Sequence, residues 1–331
     1  MKTGFDSHGF VGMKSGMRGG FCISRFWQML GRCCRTAVYS LGIGLFGAVV
    51  VGSEYGHAAG HDEAPMCRSL TFEGVSYITC AIDPAHYRIR LHWQDEAGVP
   101  YASLEAVYRA MEANGNKPLL LMNGGMYEED LSPVGLFIQH GRVLHPASTR
   151  QGPGNFHMKP NGVFFVQGKK AGVLETSVYL ERFPIRWNHL IDQNSLKTKN
   201  RRSFADPIGS ANDLKTQRKV DIATQSGPML VLNGKIHPRF KVDGESRKIR
   251  NGVGIRRDGT VMFVISQGTV SFGRFARLFR DKLECNDALY LDGTVSRLMY
   301  DGEVVPTAMS LTAALTGAAR QLGPIISISE K

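Results

Sequence analysis

An apolar run, Ala288-Leu289-Tyr290-Leu291, stops at Asp292-Gly293 and is followed by Thr294, Val295 and Ser296. A carboxylate at the end of a buried strand is held rigidly and still reaches a cleft, although Asp-Gly is equally the dipeptide of a hairpin turn. Four further polar knots end or interrupt apolar runs. They are Asn123-Gly124-Gly125, the stretch from Asn155 through Asn161 to Gly162, Gln225-Ser226-Gly227-Pro228, and Arg250-Asn251-Gly252-Val253-Gly254. Glycine beside a polar residue lets the backbone approach a ligand closely and exposes N–H donors. Taken singly, each knot is a turn or a bulge; together they offer a carboxylate, a guanidinium, amides and N–H groups.

Other chemistries fit less well. Ser226 is not in a nucleophile elbow, because Thr224 and Pro228 occupy the glycine places of G-x-S-x-G, which argues against a Ser-His-Asp hydrolase. The histidines beyond residue 58 lack H-E-x-x-H or any close paired spacing, which argues against zinc. His140 and His157, near the knots, read as turn or surface residues. There is no G-x-G-x-x-G after a strand and no P-loop, and no cofactor is expected.

The elements that must position these residues follow from periodicity. His86 to Trp93 alternates as a strand does, and Ser103 caps a helix carrying Leu104, Val107, Tyr108 and Met111 on one face, ended by Asn114-Gly115. Pro118 to Met122 reads as a buried strand that delivers Asn123. Hairpins are expected over 134–144, 162–179, 229–236 and 252–266, and Ser271 caps a second helix bearing Phe272, Phe275, Phe279 and Leu283. Strands then cover 288–291 and 295–300, with a last one after Asp301-Gly302; the tail from Ala313 is small and apolar. Nine Asn-Gly or Asp-Gly pairs punctuate the chain, and most should be hairpin turns. The fold class expected is α+β: a mixed, largely antiparallel β-sheet core with a few flanking helices, in a single domain over 59–331.

The N-terminus reads as a targeting segment. A basic stretch leads into the uncharged run from Ala37 to Val51, short for a span of ~20 residues, and Gly56-His57-Ala58 offers small residues for a signal peptidase. Residues 1–58 are therefore a signal peptide or an uncleaved N-terminal membrane anchor; both place the folded part outside the cytoplasm, periplasmic or secreted. Cys67 and Cys80 flank a stretch that could fold back as a hairpin, a disulfide in an oxidising compartment, and Cys285 is expected as a buried free thiol. The net charge of +11 is partly carried by the leader. What remains favours an anionic partner such as a phosphorylated or acidic glycan. Residues 194–219 read as a basic surface loop. No RNP-like motif or zinc-finger spacing supports nucleic acid, and membrane contact is expected only through the N-terminal segment.

Five motifs occur in order: Asn123-Gly124-Gly125-Met126-Tyr127, Lys159-Pro160-Asn161-Gly162-Val163-Phe164, Gln225-Ser226-Gly227-Pro228-Met229-Leu230, Arg250-Asn251-Gly252-Val253-Gly254-Ile255 and Leu291-Asp292-Gly293-Thr294-Val295-Ser296. The set resembles the phosphodiester glycosidase domain family, that of N-acetylglucosamine-1-phosphodiester alpha-N-acetylglucosaminidase, and most of all its bacterial exported branch. It covers roughly residues 67 to 325. The family's usual Leu-Asp-Gly-Gly-Gly-Ser is altered here, with Thr294 and Val295 in place of two glycines. The resemblance implies cleavage of a sugar-1-phosphodiester in an envelope or extracellular glycan. Asp292 would stabilise the oxocarbenium-like centre, attack it or activate water. Arg250, with Arg297 second, would clamp the leaving phosphate. Asn123 and Gln225 would bind sugar hydroxyls or phosphate oxygens, with Ser226 and Ser296 as supporting donors. Gly124, Gly125, Asn161, Gly227, Gly254 and Gly293 would line the ligand. The alternative is a non-catalytic glycan-binding or scaffold protein of polysaccharide assembly using the same cleft.

Overall fold

Strands buried on both faces set the frame. β13 (Val261–Ser266) turns Val261, Phe263 and Ile265 to one side and Met262 and Val264 to the other, and both sides are buried. Around it runs a seven-stranded sheet: β1 (Cys67–Phe72), β2 (Val75–Ile82), β13, β12 (Asn251–Arg256), β14 (Cys285–Asp292), β10 (Met229–Leu232) and β11 (Lys235–Ile236). A five-stranded sheet follows the order β16 (Glu303–Val304), β15 (Leu298–Tyr300), β4 (Leu120–Asn123), β17 (Ile325–Glu330), β3 (Tyr87–His92). A third has β6 (Arg142–His145), β5 (Phe137–Gln139), β9 (Ile222–Ser226), β7 (Gly162–Gln167) and β8 (Lys170–Glu175). This is a computed structural model, and it describes residues 66–184, 219–292, 295–307 and 320–331.

All three sheets contribute to one apolar cluster. Leu91 and Met122 enter from the second, Phe137 and Phe164 from the third, and Phe263 and Leu289 from the first. Phe164 meets Phe263 edge to face at 5.7 Å. Each such side chain contributes about 1.5–3 kcal/mol through burial. One helix covers the outer face of each sheet. α1 (Leu104–Ala113) packs Leu104, Val107 and Met111 with Leu121 and Ile325, and Ser103 caps it by accepting from Ala106 N–H. α2 (Thr176–Arg182) sets Tyr179 with Val163 and Phe165. α3 (Phe272–Arg277) continues into a π-helical turn, Leu278–Lys282, and buries Phe275 and Phe279 with Met262 and Tyr290.

The expected elements are largely present, with four differences. Every strand pairing among the described residues is antiparallel, so the sheets are not mixed, and the fold is predominantly β with few helices. Residues 176–182 are helix and not a strand running to Tyr179, because the chain turns at Glu175 to lay Tyr179 over the third sheet. The apolar tail holds β17, a central strand between β3 and β4. Finally, Asn-Gly and Asp-Gly pairs divide by backbone. Asn233-Gly234 and Asp301-Gly302 have positive φ at both residues and are tight turns. Asn123, Asn161 and Asn251 instead sit at strand ends or beside them, without positive φ.

Cys67 and Cys80 are opposed in the β1–β2 register and joined by a disulfide, with S–S 2.07 Å. Cross-links that close loops of this size restrict the unfolded chain by about 3 kcal/mol. Cys285 is a buried free thiol, pushed up to about 12 by burial. The expected leader, residues 1–58, lies outside the described residues, as does the basic loop apart from Lys219. Among the described residues no helix is long and apolar enough to cross a membrane.

His92 on β3 is buried, its Nε2 sharing a 2.7 Å hydrogen bond with Ser327 Oγ on β17. Burial, then the charges of Arg90 and His140, lowers it from 6.5 to about 4. The unfolded chain therefore takes a proton near pH 6.5 that the folded chain refuses until about pH 4. Stability falls as pH drops through that window, by about 3 kcal/mol from this residue. Urea unfolding between pH 7 and 4 checks this: a His92→Gln variant should show a clearly shallower decline than the parent, and equal slopes would contradict it.

Candidate active site

The site is built where strand ends from two sheets meet. Asn123 closes β4, Asn251 opens β12 and Asp292 closes β14, with Asn251 paired to Asp292 across a bulge. The Asn251 amide donates both of its hydrogens to Asn123, one to the backbone oxygen at 2.9 Å and one to Oδ1 at 2.9 Å. Its own Oδ1 accepts from the Asp292 N–H at 3.0 Å. Asn123 Oδ1 also accepts from Arg297 N–H at 2.9 Å. These bonds fix both amide orientations: turning either one round would set oxygen against oxygen or N–H against N–H. The NH2 of Asn123 is thereby left facing Asp292, 3.5 Å from Oδ2. Ser296 Oγ donates to the Asp292 carbonyl at 2.6 Å. Asp292 is 6% exposed.

Glycines let the surrounding chain come this close. A Cβ on Gly124 would lie 2.6 Å from Ile326 Cγ1, and one on Gly125 would lie 2.7 Å from Thr224 Oγ1. Thr224 in turn donates to the Gly124 carbonyl at 2.9 Å, tying the third sheet to the same corner.

Arg250 is the neighbour of Asn251 but occupies a different environment. It is fully buried, with Nε on Val270 O at 2.9 Å, Nη2 on Ser246 O at 2.9 Å and Nη1 on the Tyr290 hydroxyl at 3.2 Å. Its guanidinium lies 3.6 Å over the Phe272 ring. No carboxylate pairs with it among the described residues, and burial lowers its pKa. Tyr290, two residues before Asp292, is raised first by burial and also by the Asp292 charge. Its hydroxyl meets the Asn155 side chain as well. A buried cation thus sits behind the end of β14.

The remaining expected site residues separate from this corner. Gln225 Oε1 accepts from Leu136 N–H at 3.0 Å and Ser148 N–H at 2.9 Å, while Nε2 donates to Ser148 O at 2.7 Å and Thr176 Oγ1 at 3.2 Å. Asn161 donates to Phe156 O at 3.0 Å and accepts from Thr176 Oγ1 at 2.9 Å and from Lys159 Nζ. Ser226 donates to Leu291 O at 2.8 Å. These three side chains hold loops and strands in place. Gly227 is packed on Asn161, and Gly254 lies under Phe279 and Cys285, where a Cβ would be 2.7 Å from each. Gly254 therefore serves helix-to-sheet packing. Gly293 and Thr294 lie outside the described residues.

Three participants were not singled out from sequence. Asn251 was seen only as part of a knot, and its side chain is the hub. Thr176 sits under Gln225 and Asn161. Tyr127, in the Asn-Gly-Gly-Met-Tyr motif, donates to Gln321 O at 2.7 Å and is raised to about 12 by burial and by the Asp292 charge, with Arg320 and Arg297 opposing. Arg297 is half-buried, its backbone pinned to Asn123, and its side chain has no hydrogen bond or ion pair among the described residues. Glu128, Glu129 and Asp130 are exposed, and Asp130 is engaged with Ser132. Among the described residues no group of three His, Cys, Asp or Glu is arranged to hold a metal.

The model of the phosphodiester glycosidase family matches residues 116–328 of the chain. The uncharacterized protein YigE of Escherichia coli K12 is 32% identical over 225 residues, which is 68% of this chain and 74% of that one. The catalytic domain of zebrafish N-acetylglucosamine-1-phosphodiester alpha-N-acetylglucosaminidase, auto-inhibited by its pro-peptide, aligns at TM-score 0.49 and 14% identity over 82% of this chain and 86% of its own. A hypothetical protein from Synechocystis aligns at TM-score 0.43 and 13% identity over 80% of this chain, which spans only 61% of that protein.

Replacing Asn251 by Asp keeps the shape and reverses the hydrogen bonding. A carboxylate would face both Asn123 oxygens in a buried site, a loss of about 3 kcal/mol. Urea unfolding should show Asn251→Asp destabilised by at least that of a typical cavity-free polar deletion; a change under about 0.5 kcal/mol, the scale of ordinary surface substitutions, would contradict the hub assignment.

Proposed function

This chain belongs to the phosphodiester glycosidase family, and from that premise we propose that it is an exported hydrolase. It cleaves the bond between an anomeric carbon and a phosphodiester in an envelope or extracellular glycan. Residues 1–58 act as its signal peptide or anchor and 59–331 as the working domain. One observation carries the reading: Asp292, within the family-matched segment, is a carboxylate at a strand end, its backbone N–H held by the Asn251 amide and its Oδ2 faced by the Asn123 NH2, and neither amide has another arrangement open to it.

The chemistry asks for two things. Positive charge develops on the sugar as the bond breaks, and the Asp292 carboxylate meets it. Negative charge develops on the leaving phosphate, which is a weak base and needs a charge clamp more than an acid. Arg297 is the guanidinium that supplies it directly, being half-buried, uncommitted and tied through its backbone to Asn123. Arg250 acts from behind the wall. Its unpaired buried charge, poorly screened there, favours an anion at this end of β14. Asn123 steadies Asp292, and Ser296 holds its carbonyl. Gln225, Ser226 and Asn161 act by keeping the walls in place. A second reading, glycan binding without turnover, draws on the fact that Asp292 is the single carboxylate among the described residues of this hydrogen-bond network.

The test is turnover by the full chain of a panel of α-linked sugar-1-phosphodiesters, read as released reducing sugar. Asp292→Ala should lose about 10³-fold in kcat and Arg297→Gln about 10–100-fold in kcat/KM. Glycan binding by the parent with no turnover would favour the binding reading. Equal turnover by parent and Asp292→Ala would leave an enzyme and remove Asp292 from its chemistry.

A further inference from the structure

A cavity of about 600 Å³ opens at the other end of β14, where the strand begins. Arg256, Arg257, Asp258, Arg280, Glu284 and Asn286 line it. Its size falls in the range of small-molecule sites. The charges on its wall are unevenly committed. Arg280 is taken up by Asp281. Arg256 spends only Nε, on Leu283 O at 2.9 Å, and so its two Nη groups are left without a hydrogen bond or ion pair among the described residues. Arg257 is exposed and makes none.

The backbone around the cavity is unusual. The π-helical turn Leu278–Lys282 ends at its rim, and Glu284 has φ +57, a left-handed conformation that glycine would adopt more readily. π turns and strained residues persist where the surroundings over-determine them, and they concentrate at ligand sites. Here they set Glu284 on the wall of the same cavity as the two open guanidiniums.

We infer that this cavity binds a saccharide carrying one acidic group, a carboxylate or a phosphomonoester. Arg256 and Arg257 take the anion, for which the guanidinium fork is shaped. Glu284 accepts from hydroxyls, joined by the second oxygen of Asp258, whose Oδ1 already accepts from Thr260 N–H, and by Asn286, whose Nδ2 already gives one hydrogen to Asp287. The mixture of charges selects the class: a bare anion would be repelled by the two carboxylates, and a neutral sugar would leave the guanidiniums unmatched. Six residue steps along β14, from Asn286 in the cavity wall, separate it from Asp292, roughly 20 Å at strand rise. The site is thus distinct from the chemistry at Asp292 and does not depend on turnover there.

Calorimetric titration of the full chain tests it, with glucuronate, glucose 6-phosphate, glucose and inorganic phosphate as probes. Glucuronate or glucose 6-phosphate should bind at least tenfold tighter than glucose or inorganic phosphate. Arg256→Gln with Arg257→Gln should weaken that binding at least tenfold, while Asp292→Ala changes it less than twofold. Arg257→Gln alone alters an exposed residue and should still cost at least threefold, so a fold lost in the double variant leaves the inference testable. Absence of acidic-sugar binding, phosphate binding as tight as sugar phosphate, indifference to Arg257→Gln, or loss of binding in Asp292→Ala would each overturn it.

Discussion

The Asn251 amide is the fastener on which this corner of the molecule depends. Its two hydrogens reach the backbone and side-chain oxygens of Asn123, and its oxygen receives the Asp292 N–H. One side chain thereby binds the end of β4 in one sheet to the ends of β12 and β14 in another. The β12–β14 register shifts at this point, so the ladder alone does not set the Asp292 backbone. Buried amides that are fully satisfied fix a single arrangement, because each alternative leaves a polar atom unpaired. That economy fixes the Asp292 backbone and turns the Asn123 NH2 toward its carboxylate.

The second constraint is a charge. Arg250 is wholly enclosed, and a buried cation without a carboxylate is costly unless its hydrogens find partners. Two carbonyls, a tyrosine hydroxyl and the face of Phe272 supply them. None of these neutralises it. The strand that follows Arg250 carries Gly252 and Gly254, and both lie against Phe279, which lets α3 and its π turn close over the sheet. The Arg-x-x-x-Gly spacing thus joins a charge to the packing that encloses it. In that light the motif is as much architecture as chemistry.

What was legible in the sequence was whatever is local. Ser103 and Asn114-Gly115 bounded α1, the alternation of Val261 to Ser266 marked β13, and Cys67 opposite Cys80 followed from a short hairpin. Asp292 at the end of an apolar run was visible for the same reason. β17 was missed because its partners β3 and β4 lie some two hundred residues earlier, and a strand's place in a sheet leaves no local trace. The partners of Gln225 and Asn161 left no trace in the sequence: they are loop backbone groups and the Thr176 hydroxyl, which only the fold brings near. Arg250 and Asn251, adjacent in sequence, part company because neighbours on a strand face opposite ways. Asn251, the quieter residue of the pair, turned out to organise the site.

We propose that reaction occurs at the anomeric carbon, beside Asp292, and not at phosphorus. Hydrolysis of a sugar-1-phosphodiester by the full chain in water enriched in oxygen-18 tests it most directly, with mass spectrometry of both products. Attack at carbon puts the label in the released sugar and leaves the phosphomonoester unlabelled, which is the result expected here. Label in the phosphate would mean that a phosphorus–oxygen bond had been broken, and would contradict the account.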